Sequence, residues 1–117
     1  MVIIQNQTKN SSLTTQGALA DTFFTRLKGL LGSPPLKAGE GLLLKGEKSI
    51  HTFFMSFPID VIYINSASQV IKLDEDMPPY RIGNYITQAA YILEVPVGTI
   101  KHSQTTVGDQ LTISINP

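Results

Sequence analysis

The chain has 117 residues, nine basic and nine acidic side chains, and no cysteine. That length corresponds to one domain able to bury a core, and the lack of cysteine excludes disulfides, thiolate catalysis and Cys-ligated zinc or iron–sulfur sites. The charge is balanced and scattered, which disfavours nucleic acid, whose binders carry a basic excess.

The opening MVIIQNQTKNSS lacks the basic start and long apolar run of a signal peptide. No window approaches the roughly 18 to 20 apolar residues of a membrane span, so a soluble, cytoplasmic protein is expected. Residues 2–8 form a short run with β-branched Val2, Ile3, Ile4 and Thr8 that stops at the turn cluster Lys9-Asn10-Ser11-Ser12; residues 13–20 read as the returning strand of a hairpin. In DTFFTRLKGLLG (21–32), Phe23, Phe24, Leu27, Leu30 and Leu31 follow the spacing of one apolar helix face. Asp21 or Thr22 suits the N-cap and Gly32 the C′ position, with Gly29 inside the helix.

A Pro/Gly-rich loop (33–41) leads to a short strand at 42–46. Pro58 divides the next apolar run into strands at 50–56 and 60–65, because proline breaks a ladder. NSAS (65–68) is turn chemistry before a strand at 69–75, and residues 76–84 form an exposed loop. Residues 87–95 read as a strand ended by Pro96, residues 96–110 as a turn or one helical turn, and 111–115 as a last strand entered through Gly108-Asp109. About eight strands and one good helix, joined by connections mostly too short for parallel crossovers, give a mainly β (α+β) expectation. The expected architecture is an antiparallel β-sandwich or partly closed barrel with one packed amphipathic helix, the whole of 1–117 being one domain.

Five blocks in order carry a resemblance: Ala20, Thr22, Arg26 and Gly29-Leu30-Leu31; GLLL at 41–44; HTFFMSFPIDVIYIN at 51–65; YILEVPVGT at 91–99; and VGDQL at 107–111. Together they resemble DUF192, a prokaryotic family of small domains without an assigned activity. The resemblance implies a compact β-rich fold and no particular reaction. The polar residues that fall in the family pattern are Arg26, His51, Asp60, Glu94 and Asp109.

Asp60 and Glu94 lie in strongly apolar strands, where an unpaired charge is costly, and Arg26 beside the helix face is the expected partner. That group reads either as a salt bridge anchoring helix to sheet or as a charged pocket. His51 starts an apolar stretch and is a weak catalytic candidate, since imidazole titrates near neutrality. No His spacing suits a metal, and no cofactor is expected. The reading ranked first is a non-enzymatic ligand-binding or accessory domain with a pocket at Arg26, His51, Asp60 and Glu94. A small hydrolase with His51 as general base and a protein–protein module using a free strand edge are the alternatives. Oligomeric state and the identity of any small-molecule or protein partner stay open.

Overall fold

The structure, a computed structural model, describes residues 1–52 and 55–116, and of residues 23, 24 and 27 the backbone alone. The chain runs β1 (Val2–Asn6), β2 (Ser11–Ala20), α1 (Phe23–Lys28), β3 (Glu40–Lys45), β4 (Ile59–Ile64), β5 (Val70–Met77), β6 (Tyr91–Val95), α2 (Thr99–Ser103) and β7 (Leu111–Ile115). All seven strands belong to one sheet in the order β5-β4-β6-β3-β2-β1-β7. The fold is thus mostly β, but as a single curled sheet and not as two packed ones.

The curl follows from the hydrogen bonding of the outer strands. A bridge joins Gln69 to Gln110, and Val70 N donates to Asp109 O at 2.9 Å while Gly108 N donates to Val70 O at 2.8 Å. The two edges therefore meet at one end, which makes a half-barrel. Alternation along each strand then fills two apolar layers. Ile4, Leu13, Leu43, Ile62, Leu93 and Leu111 share one layer, which draws on strands from both ends of the order and so lies inside the curl. Leu42, Leu44, Val61, Tyr63 and Ile92 form the other, on the convex face. β4, covered on both sides, is buried at all six positions and reads as an unbroken apolar run apart from Asp60.

Most neighbours are antiparallel as expected, but β2 and β3 run parallel, with Ala18 opposite Leu42. The connection between them, residues 21–39, is long enough for a crossover and contains α1. α1 starts at Thr22, whose Oγ1 accepts from Thr25 N at 3.2 Å while Thr25 Oγ1 accepts from Thr22 N at 3.0 Å. It ends at Gly29, and not at Gly32 as the sequence suggests, because Gly29 turns to φ +50, a region open to glycine. Leu30 is buried in the convex layer; the Phe23, Phe24 and Leu27 side chains of the expected helix face lie outside the described set.

The expected strand at 50–56 is absent among its described residues, and Phe53 and Phe54 fall outside them. Thr52 explains why. Its N donates to Arg81 O at 2.8 Å, its Oγ1 to Pro78 O at 2.6 Å, and its carbonyl accepts from Tyr80 N at 3.0 Å. Met55 N then turns back to Thr52 O at 3.2 Å. The described part of the segment is tied to the 78–83 loop instead of to a ladder, with a bridge between His51 and Ile82. Likewise only 91–95 of the expected strand at 87–95 pairs in the sheet.

Candidate functional site

The site is organised by β6. Tyr91, Leu93 and Val95 face the inner layer, so Ile92 and Glu94 face the convex layer beneath the end of α1. Glu94 sits opposite Leu42 on β3 and Val61 on β4, in the middle of the sheet, where the backbone holds it in place. It is 3% exposed. Among the described residues no hydrogen bond or ion pair reaches its carboxyl, and burial pushes it up from 4.5 to about 8. Glu94 is therefore a neutral acid at pH 7, able both to donate and to accept a hydrogen bond.

Its carboxyl forms part of the wall of a cavity of about 340 Å³, within the roughly 300–1,000 Å³ range of small-molecule sites. Leu30, Leu44, Ile50 and Met55 supply buried apolar walls. The mouth carries Lys28, His51 and Ile82, all exposed. Gly29 sits between α1 and the carboxyl: a Cβ there would come 4.0 Å from Glu94 Oε1. The Gly29-Leu30-Leu31 block of the sequence thus lines the cavity as well as ending the helix.

Arg26 lines the same space but is already engaged. Its Nη1 donates to Lys45 O at 3.1 Å and to Asp21 O at 3.4 Å, and its Nε lies 2.9 Å from Glu47 Oε1. The Nε–H is not aligned with that oxygen, so the last contact is ionic and not a hydrogen bond. Gly46, at φ +87, lets the guanidinium approach; a Cβ there would lie 3.3 Å from Nη1. Both partners are partly exposed, so the pair contributes at most about 1 kcal/mol and serves mainly to fix the segment after β3 to α1. His51 is placed at the mouth by the anchoring of its neighbours, with Gly83 N donating to Ile50 O at 2.8 Å.

Three of the four residues singled out in the sequence, Arg26, His51 and Glu94, therefore line one cavity, and Asp60 does not. Asp60 pairs in register with Val95 and so points to the opposite face from Glu94. Nor does Arg26 neutralise it. Asp60 Oδ1 accepts from Asp76 N at 2.8 Å, and Oδ2 from Gly98 N at 3.1 Å and Ile100 N at 3.0 Å. It bridges the irregularity in the β4–β5 pairing to the start of α2. Asp109 is a second buried carboxylate with a structural setting. Burial alone pushes it up, but donation from Asn6 Nδ2, Lys9 Nζ, Thr106 N and Thr106 Oγ1 outweighs that and holds it below the usual range. Among the described residues no group of three or more His, Asp or Glu side chains is placed to hold a metal ion.

The DUF192 family profile ("Uncharacterized ACR") matches residues 4–113. The chain belongs to the DUF192 family. Among its relatives, a UPF0127 protein of the archaeon Thermococcus sibiricus is 37% identical over 112 residues, covering 91% of this chain and 71% of that protein. Another from Pyrococcus horikoshii is 33% identical over 112 residues, covering 93% and 96%. A protein of unknown function from Novosphingobium aromaticivorans superposes with a TM-score of 0.81 at 19% identity, over 95% of this chain and 82% of that one. A putative transcription regulator from Sinorhizobium meliloti superposes with a TM-score of 0.78 at 21% identity, over 95% and 90%. The half-barrel is thus shared with distant proteins. In this DUF192 chain no helix among the described residues is long and apolar enough to cross a membrane.

Lys28, Glu47, Ser49, Met55 and Ile82 also line the cavity and were not legible as site residues. Of the lining residues not singled out in the sequence, Gly29-Leu30-Leu31, Leu44 and Met55 carried a signal, by lying inside the family blocks.

Proposed function

We propose that this DUF192 domain is a non-enzymatic binding module whose ligand occupies the convex-face cavity, with Glu94 at its floor and Arg26 and His51 at its rim. One observation carries this reading: a carboxyl buried in mid-sheet, with no partner among the described residues, faces a cavity of ligand size. An unpaired buried acid is costly to retain for stability alone. The apolar walls offer contact area, and the exposed mouth offers entry. Asp60 belongs to the scaffold in this reading, and Arg26 shapes the rim through Glu47 without being the main anchor. The hydrolase alternative requires turnover that disappears in His51→Ala; the binding reading requires none.

The test is a fragment screen by ligand-observed NMR, repeated on Leu31→Trp. Leu31 lines the cavity and is half-buried, so the larger ring fills space there without opening the core. Fragments should bind the wild-type chain and lose at least tenfold in affinity on Leu31→Trp while the melting temperature holds. Binding that is indifferent to this change would place the ligand site elsewhere.

A further inference from the structure

Taking the cavity as the ligand site, we infer that its occupant is a small aliphatic amine, whose ammonium group pairs with the ionised Glu94 carboxylate at the floor while its hydrocarbon body lies against Leu30, Leu44, Ile50 and Met55.

Glu94 is the buried group of the cavity wall with unspent bonding capacity among the described residues. Arg26 Nη1 is committed to Lys45 O and Asp21 O and the guanidinium charge is paired with Glu47, which offsets its pull on a ligand anion even though its Nε–H makes no hydrogen bond among the described residues. Lys28 stands at the exposed mouth, where solvent and salt screen it. Glu94 is buried and has no hydrogen-bond or ion-pair partner among the described residues. At Glu94 itself, a carboxylic acid or an alcohol entering the cavity would meet a neutral hydrogen-bonding group. An ammonium would form a charge-assisted hydrogen bond in a low-dielectric space, the stronger of the two interactions. The apolar walls exclude a large polar ligand and suit a body of a few carbons.

The remaining titratable groups around Glu94 come from three parts of the chain. Arg26 and Lys28 come from α1, Glu47 and His51 from the segment after β3, and Tyr63 from the adjacent β4. The Tyr63 hydroxyl is turned away in a hydrogen bond to Asp74 Oδ2 at 2.9 Å. Burial, followed by the nearby Asp74 charge, raises it well above the ordinary phenol range, so it stays neutral. Binding is then coupled to one proton. The amine arrives as the ammonium ion, the Glu94 carboxylic acid loses its proton to buffer, and the carboxylate–ammonium pair forms.

The experiment is calorimetric titration with n-hexylamine, hexanoate and n-hexanol, in phosphate and in HEPES, from pH 6 to pH 9. Hexylamine alone should bind well, with about one proton released per molecule at pH 7. Its affinity should rise about tenfold per pH unit up to about pH 8 and level off above. Glu94→Gln should keep the fold, weaken hexylamine at least tenfold and abolish the proton release. The inference is overturned if hexanoate or hexanol binds as tightly as the amine, if no proton is released, or if Glu94→Gln binds as the wild type does. Hexanoate or hexanol binding that Leu31→Trp abolishes would remove the amine and leave the cavity as a ligand site. No binding by the three probes, with fragments still bound, would also remove the amine alone. Silence in the fragment screen as well would remove both readings.

Discussion

Glu94→Gln is expected to make the protein more stable than the wild type at pH 8 and to leave the two alike at pH 4. Burial raises the native Glu94 carboxyl from 4.5 to about 8. Below pH 4.5 both the folded and the unfolded chain hold this proton, so the group does not bear on stability. Between 4.5 and 8 the unfolded chain releases it while the native chain keeps it, and stability falls as pH rises. Above 8 both are ionised and the loss is complete. That loss is on the order of 5 kcal/mol, or roughly 20 °C in Tm for a domain of this size. Glutamine fills the same space without a proton to lose, so the difference between variant and wild type should open across this window and then stay constant. Urea denaturation at half-unit pH intervals checks it; parallel curves would contradict a buried, unpaired acid. Asp109 acts in a separate window and with the opposite sign. Its native value is depressed, so its contribution is present above the unfolded value and disappears as pH falls through the native one.

Asp60→Ala is expected to cost about 4 kcal/mol, and Asp60→Asn about 2 kcal/mol. The alanine variant strands three backbone N–H groups, of Asp76, Gly98 and Ile100, around a buried site. Asparagine keeps one acceptor oxygen but turns an NH₂ towards a donor. The losses should appear as a lower denaturation midpoint with an unchanged m-value. Ligand affinity of the asparagine variant should match the wild type, because Asp60 lies on the other face of the sheet from the cavity. A loss of binding with intact stability would contradict that separation. So would an Asp60→Asn variant within 0.5 kcal/mol of wild type, since the three donors would then not depend on the carboxylate.

Asp60 also marks where reading the sequence reaches its limit. A carboxylate in an apolar strand calls for a partner, and opposite charge suggests Arg26; three backbone N–H groups satisfied it instead, and none of them has a signature in side-chain chemistry. Whether Asp60 and Glu94 share a face depends on strand register, with Asp60 opposite Val95 and Val61 opposite Glu94. Register is set by pairing across the sheet and does not appear in either strand alone. The strands themselves were legible wherever apolar alternation and turn chemistry agreed, as in β1, β4, β5 and β7. The segment at 50–56 looked like a strand because it is apolar, yet Thr52 ties it to a loop. The parallel β2–β3 pair was hidden by the rule that short connections exclude crossovers, which does not apply to the one connection that contains a helix. At Glu94 the residue type and its apolar setting pointed to a site, while the cavity beside it depends on Lys28, Met55 and Ile82, brought together only by the fold.

The most direct measurement is an NMR pH titration of the Glu94 side-chain carboxyl carbon in the ligand-free protein. A midpoint near 8 is the expected result and means a buried, unpartnered acid facing the cavity. A midpoint near 4.5 would mean that water or a cationic partner already serves this group, and it would contradict both the binding site and its amine.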